Sequence, residues 1–188
     1  MGCTSVSETW NWYNVIAMNE NQQFEKSAKP DTENYSERVL PKKNTDGTVV
    51  DYAVQTSLIE KHVRLFDNGK RQIGDLIFSI PSKDPQKFRV QDARINLEER
   101  GNGFGLELYK ELISLAKKEN MKGIVSAHHV SFAASAVWKK LADEGYSLIV
   151  NPEAQDQYDD FCNGIKRENP IGDGISIKGN GSVFEIAI

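Results

Sequence analysis

Glu98-Glu99-Arg100-Gly101-Asn102-Gly103-Phe104-Gly105 sets three glycines at alternate positions directly before the most regular amphipathic segment of the chain. At a helix N-terminus several amide N–H groups have no internal acceptor, and residues without side chains let an anion come within hydrogen-bond range of them. Such a loop suits a phosphate or a diphosphate. Two rival phosphate loops are excluded by spacing, since there is no GxxxxGK[ST] and Gly101-x-Gly103-x-Gly105 is not GxGxxG. The bland alternative is a tight turn that only starts a helix.

Other groups able to do chemistry are few. His128 and His129 are adjacent, and the chain has three histidines and no acidic ligand at metal spacing, so a zinc site is not expected. Cys3 and Cys162 form neither a CxxC pair nor a disulfide framework, which suits a reducing, cytoplasmic compartment.

The elements that must position these residues are legible from period and turn chemistry. Phe104, Leu108, Leu112 and Leu115, with Tyr109, Ile113 and Ala116 beside them, follow helical spacing to Glu119. Before the loop, Phe88–Leu97 reads as a strand whose apolar set changes parity, from Phe88 and Val90 to Ala93, Ile95 and Leu97. A regular pleat cannot switch faces, so a bulge near Gln91-Asp92 is expected. Val49–Val54, His62–Phe66 and Gln72–Ile80 read as earlier strands, the last two joined at Asp67-Asn68-Gly69. Gly123–His128 reads as a short buried strand, after which Ser131 can cap a helix carrying Ala134, Val137, Trp138 and Leu141. Tyr146–Val150 and Ser182–Ile188 complete the strands. Residues 1–48 are expected to be an irregular segment with one or two short helices that cap the core, with Trp10, Trp12 and Tyr13 packing on the sheet. Residues 49–188 would form the core, with a long insertion at about 151–181 that is first acidic and then glycine-punctuated.

At 188 residues the chain fits one ordinary domain. A net charge of −4 provides no general basic field for nucleic acid or anionic lipid. No apolar run approaches membrane-spanning length. Met1-Gly2-Cys3 begins like an acylation signal, but Val6 stands where Ser or Thr is needed.

Arg100-x-x-Gly103-x-Gly105, between a kinked strand and an amphipathic helix and followed by a helix ending in Trp138-Lys139-Lys140-Leu141-Ala142-Asp143-Glu144-Gly145-Tyr146, resembles the R/Q-x-x-G-x-G/A loop of the GCN5-related N-acetyltransferase (GNAT) superfamily. The resemblance covers roughly residues 49–150. It implies an α/β acyl-CoA N-acyltransferase fold, a mixed and mostly antiparallel sheet splayed between its fourth and fifth strands and flanked by helices. It also implies transfer of acetyl from acetyl-CoA to an amine. Ile95 and Leu97 would pair with the pantetheine arm; Arg100, Gly101, Asn102, Gly103, Phe104 and Gly105 would offer amides to the pyrophosphate; Ser131 would stand near the cofactor.

The chain departs from the family at Trp138, where many members carry a Tyr that protonates the departing thiolate. An indole N–H is a poor acid, which leaves Tyr146 or water as the donor. An amine is largely protonated near neutrality, so a base is needed too. His128 and His129, Asp92 at the bulge, and Glu98 or Glu99 are the candidates, and a packed or solvated histidine is the competing reading. A catalytically silent acyl-CoA-binding or protein-interaction module of the same fold stays open, as does an interaction protein using Asn151–Gly181. The acceptor would be an amine-bearing small molecule or protein; a membrane is not expected, nucleic acid is disfavoured, and a homodimer is compatible with the sequence.

Overall fold

The computed structural model describes residues 36–43, 49–68, 70–165 and 173–188. The aromatic cluster at Trp10, Trp12 and Tyr13 therefore lies outside the described residues.

Strands β1 (Ser36–Lys43), β2 (Val49–Ser57), β3 (His62–Phe66), β4 (Gln72–Ser79) and β5 (Lys87–Ile95) form an antiparallel meander. Helix α1 (Phe104–Lys118) then crosses to β6 (Gly123–Val125), which runs parallel to β5. The remaining elements are β7 (His129–Ser131), α2 (Phe132–Asp143), β8 (Leu148–Val150), α3 (Gln155–Cys162), β9 (Gly174–Ser176) and β10 (Phe184–Ala187). The main sheet has the order β1-β2-β3-β4-β5-β6-β10-β8, and β7 pairs with β9 in a separate two-stranded sheet. A mostly antiparallel sheet with one parallel pair, flanked by helices, is what the resemblance implied.

The apolar stripe of α1 covers β3 to β6. Leu108, Leu112, Ile113 and Ala116 are buried there against Val63, Leu65, Leu76, Phe78 and Phe88. Phe78 and Phe88 pack across the β4–β5 ladder with ring centroids 4.8 Å apart.

Three expectations need correction. Ser36–Lys43 lies in the stretch read as irregular or helical, yet it is an eight-residue strand in register with β2. The pairing, rather than any periodicity of its own, makes Ser-Glu-Arg-Val-Leu-Pro-Lys-Lys extended. The fifth expected strand stops at Val125 instead of reaching His128. Ser126 is the cause: its Oγ accepts the N–H groups of Val183 (3.0 Å) and Phe184 (2.9 Å) and donates to the Ala127 carbonyl (2.8 Å), bending the chain off the ladder. The segment after Val150 is also more structured than its composition suggests. It holds α3 and β9, with Asn151 Nδ2 donating to Ser182 O (3.1 Å) and the Gln157 side chain bonding both the N–H and C=O of Ser176. One side of α3 is aromatic, with Tyr158 edge-on to Phe184 and Phe161 stacked on Phe132.

Candidate active site

The parity switch in β5 is a bulge. Phe78 pairs with Val90 and Ile77 with Asp92, so Gln91 is the extra residue. β6 accompanies β5 only as far as Arg89, opposite Val125. Beyond that point the sheet splays: the β6-facing edge of Gln91–Ile95 has no strand partner among the described residues. Burial agrees. Ala93 is exposed although its ladder partner Leu76 is fully buried, because no neighbouring strand covers that side.

At the far end of this edge, Leu97–Glu99 makes one 3-10 turn and the glycine loop follows. Gly101 (φ 84°) and Gly103 (φ 78°) are both left-handed, a conformation that costs other residues about 1–2 kcal/mol. Gly103 caps α1, its carbonyl accepting the N–H groups of Leu106 (3.1 Å) and Glu107 (3.3 Å). The amides of Gly101, Asn102, Gly103 and Gly105 donate no hydrogen bond to the described residues. An open strand edge thus runs into a cluster of unengaged N–H groups at the positive end of a helix dipole.

Two carboxylates beside such a loop would repel an anion, and a cation holds them. Arg71, from the β3–β4 turn, bonds Glu98 (Nη1–Oε2, 2.9 Å), Glu99 (Nη2–Oε1, 2.7 Å) and Asp67 (Nε–Oδ2, 3.0 Å). Nothing in the local sequence around the loop announces Arg71. Replacing it with Ala is expected to weaken acetyl-CoA binding about three- to tenfold at low salt, fading at high salt as screening grows. Acetyl-pantetheine, which carries no diphosphate, should bind both variants alike in a calorimetric titration.

Gly105 gives a second check. A Cβ there would meet only Val137 Cγ2, at an ordinary 3.5 Å. Packing does not require a glycine at this position. Gly105→Ala should therefore leave stability unchanged or raise it by up to about 1 kcal/mol, through helix propensity, while a larger side chain such as Val narrows the approach to the free amides. Thermal unfolding of both variants with and without acetyl-CoA reads the two effects separately.

The expected site residues do not all gather here. Ile95 ends β5 and packs over Gly74. Leu97 lies beyond the strand, exposed, and its carbonyl accepts the Arg100 N–H (3.3 Å), so that amide is engaged. The Arg100 side chain folds back onto the Ile95 carbonyl (3.1 Å). Ser131 caps α2, its Oγ accepting from the Ala134 N–H (3.3 Å) and its carbonyl from Ser135 Oγ (3.0 Å). Phe104 is buried, edge-on to Tyr52 at 5.6 Å.

Asp92 immediately follows the bulge, and its carboxylate is paired with Arg94 Nε at 2.6 Å. His128 is exposed. His129 belongs to β7 in the separate two-stranded sheet, opposite Ser176, with a buried Nδ1 that has no partner. Burial, and then the neighbouring His128, lower its pKa, so the imidazole is neutral near pH 7. Tyr146 lies beside Lys117, whose ammonium is 5.9 Å from its ring. That is the opposite end of α1, thirteen residues and about 20 Å from Phe104. Tyr146 is thus set apart from the loop.

Trp138 is fully buried between Tyr109 and Phe184, at centroid distances of 5.4 and 5.6 Å.

No family model matches the chain, and no curated protein does. Solved structures similar to it include the ribosomal-protein-S18-alanine N-acetyltransferase from Escherichia coli, at 15% identity and TM-score 0.40, covering 67% of this chain and 66% of that one. A GCN5-related N-acetyltransferase from Kribbella flavida is similar at 17% identity and TM-score 0.46, over 68% and 67% of the two chains. The N-acetyltransferase-like protein from Lactobacillus plantarum is similar at 14% identity and TM-score 0.44, over 88% and 82%. This likeness concerns the fold alone. The chain spans just under two thirds of the length of the E. coli enzyme. Among the described residues no helix is long and apolar enough to cross a membrane.

Proposed function

We propose that the chain is an N-acetyltransferase that moves an acetyl group from acetyl-CoA to an amine by direct attack. One observation carries this reading: the unpartnered edge of Gln91–Ile95 begins at the bulge and leads to the free amides of Gly101, Asn102, Gly103 and Gly105. The amides would bind the diphosphate, as a helix N-terminus does. The strand edge would pair with the amide groups of the pantetheine arm in the manner of an added strand. At the bulge, a main-chain N–H freed from the ladder would polarise the thioester carbonyl and hold the charge that develops on its oxygen.

The incoming amine needs a proton acceptor. His129 is neutral near pH 7 and Asp92 stands next to the bulge, so either would serve directly or through a water chain. The acceptor itself is an amine-bearing small molecule or protein, and the acidic net charge disfavours nucleic acid.

Trp138 favours a second reading, a silent acyl-CoA-binding module of the same fold, because it occupies the place where the family resemblance expects a Tyr. Acetyl-CoA consumption measured against a panel of primary amines, for the native chain and His129→Ala, separates the two. Turnover that falls in the variant supports catalysis. Tight acetyl-CoA binding with no turnover against any amine supports the silent module.

A further inference from the structure

Arg89 is a cation that the transfer step leaves without a role. Along β5 the pleat puts Phe88 and Val90 into the core under α1, so Lys87 and Arg89 project from the opposite face of the sheet. Arg89 stands where the sheet opens: it is opposite Val125 in the last parallel pair with β6, and two residues before the bulged Gln91. The residue is half-buried, and its Nε is closed off from solvent with no hydrogen-bond partner. The neighbouring carboxylates are already taken. Glu185 Oε1 and Asp84 Oδ2 pair with Lys87 Nζ at 2.8 and 3.0 Å, and Asp92 pairs with Arg94. Arg38, Arg64 and Arg71 likewise each meet a carboxylate, and Arg100 meets a main-chain carbonyl. Among the described residues Arg89 meets neither. Buried polar groups are nearly always paired, so a guanidinium held this way at the start of an open strand edge calls for an acceptor from outside the chain.

Resting on the acyl-transfer reading above, we propose that Arg89 determines specificity for the amine, and that the amine is a short aminocarboxylate whose carboxylate pairs with this guanidinium while its nitrogen faces the thioester at the bulge. An arginine fork takes both oxygens of a carboxylate in parallel hydrogen bonds, about twice as strong as neutral ones. Two residues of strand span about 7 Å, so the two ends of the ligand lie within that distance of each other. Aminocarboxylates with one to four carbons between nitrogen and carboxylate meet this limit. Such a molecule is a zwitterion with no net charge, so the chain's charge of −4 does not repel it. Anchoring the carboxylate also holds the nitrogen close to the carbonyl carbon, which converts a bimolecular encounter into a local one.

The test needs no turnover. Coenzyme A is joined through its sulfur to an acetamide whose nitrogen carries one to four methylene groups and a carboxylate, so that donor and amine bind as one molecule, and each adduct is paired with its methyl ester. In calorimetric titrations at least one length should bind the native chain about 10- to 100-fold more tightly than its ester does. Arg89→Gln should erase that difference and leave the affinity for coenzyme A itself unchanged. Arg89→Lys keeps the charge without the planar fork and should keep only part of the difference; it carries the comparison where the glutamine variant does not fold. Equal affinity for acid and ester at every length, with coenzyme A bound, overturns the assignment of Arg89 alone. So does an acid–ester difference that survives intact in the variants. Failure of the native chain to bind coenzyme A overturns the acyl-transfer reading, and this inference with it.

Discussion

Gly103→Glu is expected to abolish acetyl-CoA binding and to leave the fold standing. Gly103 is left-handed at φ 78° and caps α1, so a side chain there costs about 1–2 kcal/mol of strain. A carboxylate near the first turn of a helix recovers about 0.3–1 kcal/mol from the dipole, and the net loss of stability should stay near 1 kcal/mol. Binding responds differently. The new carboxylate occupies the space in front of the free amides of Gly101, Asn102 and Gly105, and it presents a like charge to a diphosphate, a juxtaposition that costs several kcal/mol. Affinity should fall about 100-fold or more, which a calorimetric titration registers as no measurable heat. Gly103→Ala carries the strain without the charge and should keep most of the affinity. Equal losses in the two variants would mean that backbone distortion, not anion exclusion, is at work.

Trp138→Ala should cost the most stability. The indole is fully buried and joins Tyr109 of α1 to Phe184 of β10. Truncating a buried Trp to Ala typically costs about 3–5 kcal/mol, the transfer of the ring plus the cavity it leaves. For a chain of this size that lowers the melting temperature by about 10 °C. Trp138→Phe keeps most of the ring contact, so its cost should stay under about 1.5 kcal/mol. Thermal unfolding of the pair checks this. A small effect in Trp138→Ala would mean that α2 is held to the sheet elsewhere.

Local rules carried much of the fold. The parity change between Val90 and Ala93 predicts a bulge, because side chains alternate strictly along a pleat, and Gln91 is the inserted residue. The stripe of α1 and the Ser131 cap of α2 are likewise written in spacing and in a hydroxyl at the right place. What was not legible depends on long-range partners. Ser36–Lys43 is a strand because β2 lies beside it. Ser126 ends β6 by accepting from residues 57 and 58 positions away in the chain, and this moves His128 and His129 off the strand where they were expected. Arg71 reaches Glu98 and Glu99 across 27 and 28 residues. The glycine loop was found because its chemistry is local.

The most direct test of this account is the structure of the protein with coenzyme A bound. The diphosphate oxygens are expected within about 3 Å of the amide nitrogens of Gly101, Asn102, Gly103 and Gly105, with the pantetheine arm along Gln91–Ile95. Coenzyme A seated elsewhere, with those amides and that strand edge unoccupied, would contradict it.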